Sequence, residues 1–424
     1  MLGRLVALNI LIYGINYAPE PVGIGKYSGE LGSWLAARGF SVRVITAPPY
    51  FPGWQVAAGH RNRYGLEQRE GLRVRRCPLW VPRRPSGLTR LLHLASFALS
   101  SLGPLLAQRA WRPDVVITVA PAFFCAPGAL LLGRLCGRRT VTWLHIQDFE
   151  LDAAFELGLL KGRLLRSLAE TWERRTLRGF DRVSSISTAM VQRLGAKAVA
   201  PSRSLLLPNW VDLEQIRPQL GAARLHNTYR QELGIGPDQL VLLYSGSMNK
   251  KQGLDLLVDV IHQLADLPQL VWLLAGEGPT KGELVAATAG LPQVRHLPLQ
   301  PSARLNDWLN AADIHLLPQK AEAADLVLPS KLLGILASGR PLVASSPADS
   351  ELASFAEQAG ACVPPGDATA FAKALRALIS DPQRRADAGR RARLLAEDHF
   401  SQDTVLGRFE QQLQALVADR SKIR

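Results

Sequence analysis

The feature that most constrains this chain is a series of short Val-, Leu- and Ile-rich runs that alternates with helical stretches, stops, and then starts again. The first series places strands at Asn9–Tyr13, Ser41–Ala47, Leu72–Pro78, Asp114–Ala120, Arg139–His145 and Asp181–Ser187, with a short run at Ser204–Leu207. The clearest helix between them is Ser28–Arg38, with Gly39 as its stop. Runs that are apolar on both faces, with helices between, predict a parallel sheet covered on both sides. The second series places strands at Leu240–Ser245, Leu270–Ala275, Val294–Leu297, Asp313–Leu317 and Pro341–Ser345. Its helices fall at Gly253–Asp266, Pro279–Ala289, Ala303–Ala312, Ser330–Ala337, Ser350–Gln358 and Ala368–Ile379. Between the series lies a polar, proline-bounded stretch, Leu213–Pro237, which puts the junction near Pro208–Pro218. A chain of 424 residues is long for one core. The prediction is therefore an α/β protein of two doubly wound, Rossmann-like domains, 1–210 and 211–401. A last helix, about 402–420, is expected to pack back on the first. Ligands of such sheets bind at the carboxyl ends of the strands. Two such ends facing across a cleft would hold a donor on one side and an acceptor on the other.

The charge is split unevenly. Residues 1–207 hold 28 Lys and Arg against 12 Asp and Glu, a net of +16, and the remainder is −2. The first half thus invites an acidic partner such as a phosphorylated substrate or an anionic headgroup. Nucleic acid is not expected, because no helix interleaves its arginines with aromatics. Four cysteines without a CxxC pair argue against a zinc site or a disulfide framework and suggest a reducing cytoplasm. The opening "MLGRLVALNILIYG" lacks a cleavage site and runs into a glycine turn, as a first strand would. In Ser86–Gln108 the apolar positions follow helical spacing and arginines lie at the start. Its uncharged part is shorter than the ~20 residues of a membrane span. It reads as a helix covering a sheet, or as one that also leans on anionic lipid.

Several turns carry chemistry. After the first strand, "YAPEPVGIGKYSGE" puts Gly23 and Gly25 before a helix, with Lys26 beside them. Such glycines let backbone N–H groups approach an anion closely. The spacing from the strand is too long for a dinucleotide fingerprint. After the fifth strand, "LHIQDFELD" clusters His145, Asp148, Glu150 and Asp152. His145 suits a base or a hydrogen-bond partner of a sugar. Asp148 suits an acceptor-side base or an orienting group, and Asp148 or Asp152 equally suits a helix cap. In "LLYSGSMNKKQGLD", Gly246, Ser247, Lys250 and Lys251 follow a strand and precede a helix, a layout fit for a diphosphate. "LLAGEGPTKGEL" repeats it with Gly276 and Gly278, and Pro279 suits the first helical position.

Taken together these stretches resemble the GT-B glycosyltransferases of family 4. Within that family they are similar to a WcaI-like, colanic-acid-type exopolysaccharide branch. The motifs that carry the likeness are "ILIYGINYAPEPVGIGKYSGELGSWLAARGFSVRVITAPPYFPGW", "LHIQDFELDAAFELGLL", "LPNWVD", "YSGSMNKKQGLD" and "LPQKAEAADLVLPSKLLGILASGRPLVA". The resemblance implies retaining transfer of a sugar from a nucleotide-sugar to a saccharide acceptor, without a required metal or cofactor. It implies that Gly23 and Gly25 face the donor diphosphate, that His145 contacts the sugar, and that Lys250 or Lys251 stabilises the leaving phosphate. The helix after Ser330 and Lys331 would lie beside the nucleotide.

Two departures stand out. Gln252, not a lysine, precedes Gly253, which leaves open which lysine takes the phosphate role. The acidic pair expected at Leu326 and Gly334 is missing, with Glu322 and Asp325 nearby. That puts the burden of holding the ribose on Ser330, Lys331 and backbone N–H groups. The expected acceptor is lipid-linked, and the expected place is the cytoplasm, peripheral on the inner face of the plasma membrane. A nucleotide-sugar epimerase of the same fold and a non-catalytic nucleotide-sugar-binding scaffold are the alternatives.

Overall fold

The computed structural model describes residues 8–21, 23–83, 86–121, 123–137, 139–149, 162–321 and 328–422. It divides into two compact units: residues up to Pro208 with those from Leu406 onward, and Asn209–Val405. Both are built on parallel sheets, as the doubly repeated pattern predicts.

Among the described residues the first unit has eight strands: β1 Asn9–Gly14, β2 Ser41–Thr46, β3 Gly65–Arg69, β4 Leu72–Arg76, β5 Val115–Ala120, β6 Val141–Ile146, β7 Arg182–Ser185 and β8 Ser204–Leu206. Their order is β3-β4-β2-β1-β5-β6-β7-β8, parallel except for the β3–β4 hairpin. The central strands β5 and β6 are buried along their whole length, which is why their sequences run apolar without alternation. The strand β3 is a correction to the sequence reading. Its "GLEQR" alternates half-exposed and exposed residues at a sheet edge, so no apolar run marks it. From Leu406 the last helix, Gln402–Lys422, belongs to this unit. Leu406, Phe409 and Leu413 are buried, and the Phe409 ring sits 4.8 Å from that of Trp143.

The described residues of the second unit form six: β9 Leu240–Ser245, β10 Leu270–Ala275, β11 Val294–Leu297, β12 Ile314–Leu317, β13 Leu342–Ser345 and β14 Gly360–Val363. The order is β11-β10-β9-β12-β13-β14, parallel throughout. The strand β14, "GACV", escapes a hydrophobic-run reading because its residues are small. So does the helix Pro382–Leu395, whose five arginines mask a buried stripe of Ala388, Gly389, Ala392 and Leu395.

A further correction concerns the first helix. It spans Gly23–Ala37, so Gly23 and Gly25 are its first turn and do not precede it. The glycines allow close packing. A Cβ on Gly25 would stand 2.3 Å from Glu20 Oε2, one on Gly29 2.6 Å from Ala18 Cβ, and one on Gly32 2.2 Å from the Tyr17 hydroxyl. The helix therefore lies flat on the Tyr17–Glu20 segment that follows β1.

Candidate functional site

In the second unit the strand order reverses between β9 and β12, the point where doubly wound sheets bind ligands beyond the carboxyl ends. Gly246 follows β9, and Gly276 and Gly278 follow β10. The two turns are pressed backbone to backbone: Met248 N donates to Glu277 O at 2.8 Å and Gly246 N to Ala275 O at 3.0 Å. A Cβ on Gly276 would stand 1.9 Å from Gly246 O, and one on Gly278 2.1 Å from Met248 O, so no other residue fits either place. These turns are rigid by construction. Asn249 then caps a short turn, Lys250–Gln252, by accepting from Lys251 N at 3.1 Å. Both lysine side chains are exposed.

Lys331 is the surprise of this end. Ser330 starts the helix Ser330–Ala337 and is exposed, while Lys331 in the same turn reaches back toward β9. Its Nζ donates to Gln252 Oε1 at 2.7 Å and to the Tyr244 hydroxyl at 3.1 Å, and lies 4.4 Å from the Tyr244 ring centroid. A Cβ on Gly246 would lie 3.1 Å from that same Nζ. No carboxylate compensates it among these partners, and burial pushes its ammonium down to about 7. Two cavities flank the helix Asp255–Gln263. One, of about 310 Å³, is lined by Gly253, Asp255, Gln319, Lys320 and Ser345 among others. The other, of about 350 Å³, is lined by Asn249, Lys250, Thr280 and Glu283 among others. Pro279 lies two residues before the helix Lys281–Ala287 and does not start it.

In the first unit the order reverses between β1 and β5, and a cavity of about 210 Å³ lies past their ends. Asn16, Gly23, Tyr50, Trp54, His93 and Asp148 are among its walls. Glu20 sets this wall. Its Oε1 accepts from Tyr50 N and Phe51 N at 3.1 Å each, and its Oε2 from Asn16 Nδ2 at 2.9 Å. The His93 ring stands 4.6 Å from Tyr50 and 5.4 Å from Trp54, and its Nδ1 lies 2.6 Å from Trp80 O. Its Nε2 is buried without a partner among the described residues. Burial lowers the pKa of this imidazole, so it is a neutral hydrogen-bonding group. Aromatic rings beside an imidazole, an amide and a carboxylate suit the mixed apolar and hydroxylated surface of a sugar.

The sequence-predicted residues sort as follows. Gly23 and Asp148 meet in the first cavity. Gly25 and Lys26 lie on the same helix outside it, Gly25 packed on Glu20 and Lys26 paired with Glu30 at 3.3 Å. His145 is at the end of β6 but buried, with Nδ1 2.9 Å from Ser184 Oγ, which also accepts from Trp143 Nε1. Burial pulls it down to about 4, so it is neutral near pH 7, suited to hydrogen bonding and poorly suited to taking up a proton. Gly246, Ser247, Lys250, Gly276, Gly278, Ser330 and Lys331 all lie at the carboxyl end of the second sheet or at the helix facing it. Lys251 is there too, and of all these residues only Lys250 lines one of the two cavities. Glu150, Asp152, Glu322, Asp325 and Leu326 lie outside the described residues. Sequence reasoning missed Glu20 and His93. The signal for Glu20 was a lone carboxylate among prolines, and for His93 a single polar ring on an apolar helical face. Among the described residues no group of three or more His, Cys, Asp or Glu is placed to hold a metal ion.

The helix Gly87–Leu106 presents two faces. His93, Leu94, Phe97, Ser101 and Leu105 are buried, while Leu88, Leu92 and Leu99 are exposed. With its extension to Ala110 it is long and apolar enough, by length and composition alone, to cross a membrane.

Comparison with known proteins agrees with this layout. Residues 22–210 match the Glycosyl transferase 4-like domain, and residues 239–381 match the Glycosyl transferases group 1 domain. The chain is 42% identical over 411 residues to WcaI of Escherichia coli (strain K12), provisionally named a colanic acid biosynthesis glycosyl transferase. That likeness covers 95% of this chain and 98% of the relative. It is 26% identical over 391 residues to the D-inositol 3-phosphate glycosyltransferase of Streptomyces bingchenggensis (strain BCW-1), covering 85% and 77% of the two chains. Among solved structures, sucrose-phosphate synthase from Thermosynechococcus elongatus superposes with a TM-score of 0.74 at 18% identity, covering 97% and 100% of the chains. Anabaena HepE in complex with UDP-glucose gives 0.66 at 14% identity, covering 96% and 100%. At such identities the two structures speak to the fold.

Proposed function

The chain belongs to the glycosyltransferases that join a Glycosyl transferase 4-like domain to a Glycosyl transferases group 1 domain, and from that membership we propose that it moves a sugar from a nucleotide-sugar to a saccharide acceptor in exopolysaccharide biosynthesis of the colanic-acid type. The observation that carries this reading is the carboxyl end of the second sheet. There Lys331, half-buried and with no carboxylate among its described partners, lies against the Gly246 turn, with Lys250 and Lys251 close in sequence. A nucleoside diphosphate supplies the missing negative charge. The negative charge that grows on the leaving diphosphate is the largest in such a transfer, and fixed cations and backbone N–H groups stabilise it. Lys250, Lys251 and Lys331 take that role, with Ser330 and the start of its helix beside the ribose. Gly246, Ser247, Gly276 and Gly278 shape the pocket by close backbone approach.

On the first unit, Asp148 and His93 take acceptor hydroxyls and Tyr50 and Trp54 pack on the ring. Gly23, Gly25 and Lys26 sit at the start of the helix beside that cavity. His145 serves as a neutral hydrogen-bonding group. The transfer retains the anomeric configuration and needs no metal. The acceptor is lipid-linked, and the enzyme works in the cytoplasm, resting peripherally on the inner face of the plasma membrane through the exposed leucines of Gly87–Leu106.

The test begins with a thermal-shift screen of UDP-, GDP-, dTDP- and CMP-sugars, since a ligand of the folded state raises the melting point. The donor that binds is then offered with a lipid-pyrophosphate acceptor, with and without a chelator. Product with the donor's anomeric configuration by NMR, unchanged by chelation, is the expected result. No transfer and no nucleotide release with any donor would sink the reading. A changed free sugar-nucleotide in place of transfer would indicate an epimerase.

A further inference from the structure

The arginines at the opposite end of the second sheet have no part in donor binding. Asp313 precedes β12, and Arg340 and Pro341 precede β13, so these residues lie at the amino ends of strands whose carboxyl ends carry the donor turns. A cavity of about 540 Å³ opens there, within the range of small-ligand sites. Arg224, Arg340 and Arg385 line it together with Asp313, and Arg230 lies against the same carboxylate.

The charges do not balance. Asp313 is buried, and both its oxygens are already taken: Oδ1 pairs with Arg224, while Oδ2 accepts from Arg230 Nη1 at 3.1 Å and from Val241 N at 2.9 Å. Arg340 is 6% exposed. Its Nη2 donates to Gln219 O at 2.6 Å and to Asn310 Oδ1 at 3.3 Å, yet its Nε is buried with no partner among the described residues. Arg385 Nη1 donates to Leu378 O at 2.7 Å and Ile379 O at 3.1 Å. These contacts use one nitrogen each of Arg340 and Arg385, and a guanidinium has five N–H donors. Burial first, and the crowding of neighbouring arginines second, push Arg224 down to about 9 and Arg340 down to about 10. A buried cation without a counter-charge is costly unless a ligand supplies one. The rest of the wall holds Arg390 and Arg393, which pair with Asp387 and Glu397, and the apolar Pro218, Leu220 and Leu394, while Ala386 and Gly389 on the helix Pro382–Leu395 leave room beside them.

We propose that this cavity binds a phosphate monoester of sugar size, its phosphate on the arginines and its ring against the proline–leucine wall. It is a second anion site of the unit, and it stands whether or not sugar transfer is observed.

Isothermal titration calorimetry on the full chain tests it, with inorganic phosphate and glucose 1-phosphate as probes. One glucose 1-phosphate is expected per chain, bound more tightly than inorganic phosphate. Arg385→Gln, which removes a charge, and Leu394→Trp, which fills the wall, are each expected to weaken it roughly tenfold or more. Lys251→Ala, at the donor end, is expected to leave it unchanged. Melting curves confirm that each variant folds, and Arg340 is left in place because it holds Gln219 and Asn310. No binding to the parent chain overturns the proposal. So does affinity unchanged in both cavity variants, or lost in Lys251→Ala. Equal affinity for the two probes overturns the sugar-sized part of it.

Discussion

Lys331 sets the pH behaviour at the carboxyl end of the second sheet. The folded chain gives up its proton at about 7, the unfolded chain at the ordinary 10.5. Between those values the unfolded chain holds the extra proton, so this group makes stability rise with pH across that window. Below about 7 the full cost of burying the charge is present, and above 10.5 it is gone. Lys331→Met should therefore gain stability most at pH 6 and lose that gain toward pH 10, as read by urea unfolding at each pH. Donor binding has the opposite demand, because a diphosphate favours the charged amine. Above pH 7 binding should take up a proton, and donor affinity should fall by up to roughly tenfold per pH unit. Calorimetry between pH 7 and 9 checks this, and an affinity flat with pH would remove Lys331 from the site. Lys251→Ala should cut turnover about tenfold or more, roughly 1.4 kcal/mol of transition-state stabilisation, and unchanged steady-state rates would remove Lys251 as well. The "PSK" of the sequence pointed to Lys331 because a carboxylate was missing at Gly334. Its burial could not be read there, since burial comes from Tyr244 and Gln252, 87 and 79 residues away. His93 was illegible for the same reason: its value lies in Tyr50 and Trp54, brought to it by another loop.

At the scale of elements, the sequence revealed what apolar runs reveal. The strands β9, β10 and β11 begin and end where those runs do. The strand β3, the strand β14 and the helix Pro382–Leu395 were invisible because an edge, small residues and an arginine-rich face carry little hydrophobic pattern. The glycines of Gly23–Ala37 were visible but were misplaced, as a loop before the helix. A strand-then-glycine pattern is shared by ligand loops and by helices packed close to a neighbouring segment, and only the Tyr17–Glu20 contact distinguishes them. Gly25→Ala should consequently disturb the cavity past β1 and β5 as well as stability. The new methyl would collide with Glu20 Oε2 and Cβ, 2.3 and 2.5 Å away, and Glu20 is the carboxylate that holds Tyr50 N and Phe51 N. The expected cost is about 1–3 kcal/mol, the usual range for overpacking, measured by chemical denaturation. An acceptor KM raised more than the donor KM would accompany it. An unchanged midpoint would mean that the helix has room to move away from Glu20.

At the scale of the molecule, the charge and the apolar exposure are concentrated together. The net +16 of residues 1–207 belongs to the same unit as the helix Gly87–Leu106. Leu88, Leu92 and Leu99 are spaced four and seven residues apart on that helix and are 67%, 52% and 74% exposed. Its opposite face is fixed by Phe97 and Leu105 in the core, so the exposed stripe cannot turn inward. An apolar stripe on a basic unit is the composition of an interfacial helix, in which leucines enter the headgroup region and arginines meet anionic lipid. The two contributions separate experimentally. Vesicles rich in anionic phosphatidylglycerol should sediment the protein, neutral phosphatidylcholine vesicles should do so far less, and added salt should release it, because screening shortens the reach of the arginines. Leu92→Asp with Leu99→Asp should weaken the anionic binding at least about tenfold, since each buried leucine is worth about 1.5–3 kcal/mol. Because both side chains point to solvent, the melting point and turnover on a water-soluble acceptor should stay as they were. Turnover on a lipid-linked acceptor should fall with vesicle binding. Equal sedimentation of the double variant would leave only general basicity, and the stripe would then have to cover something other than lipid.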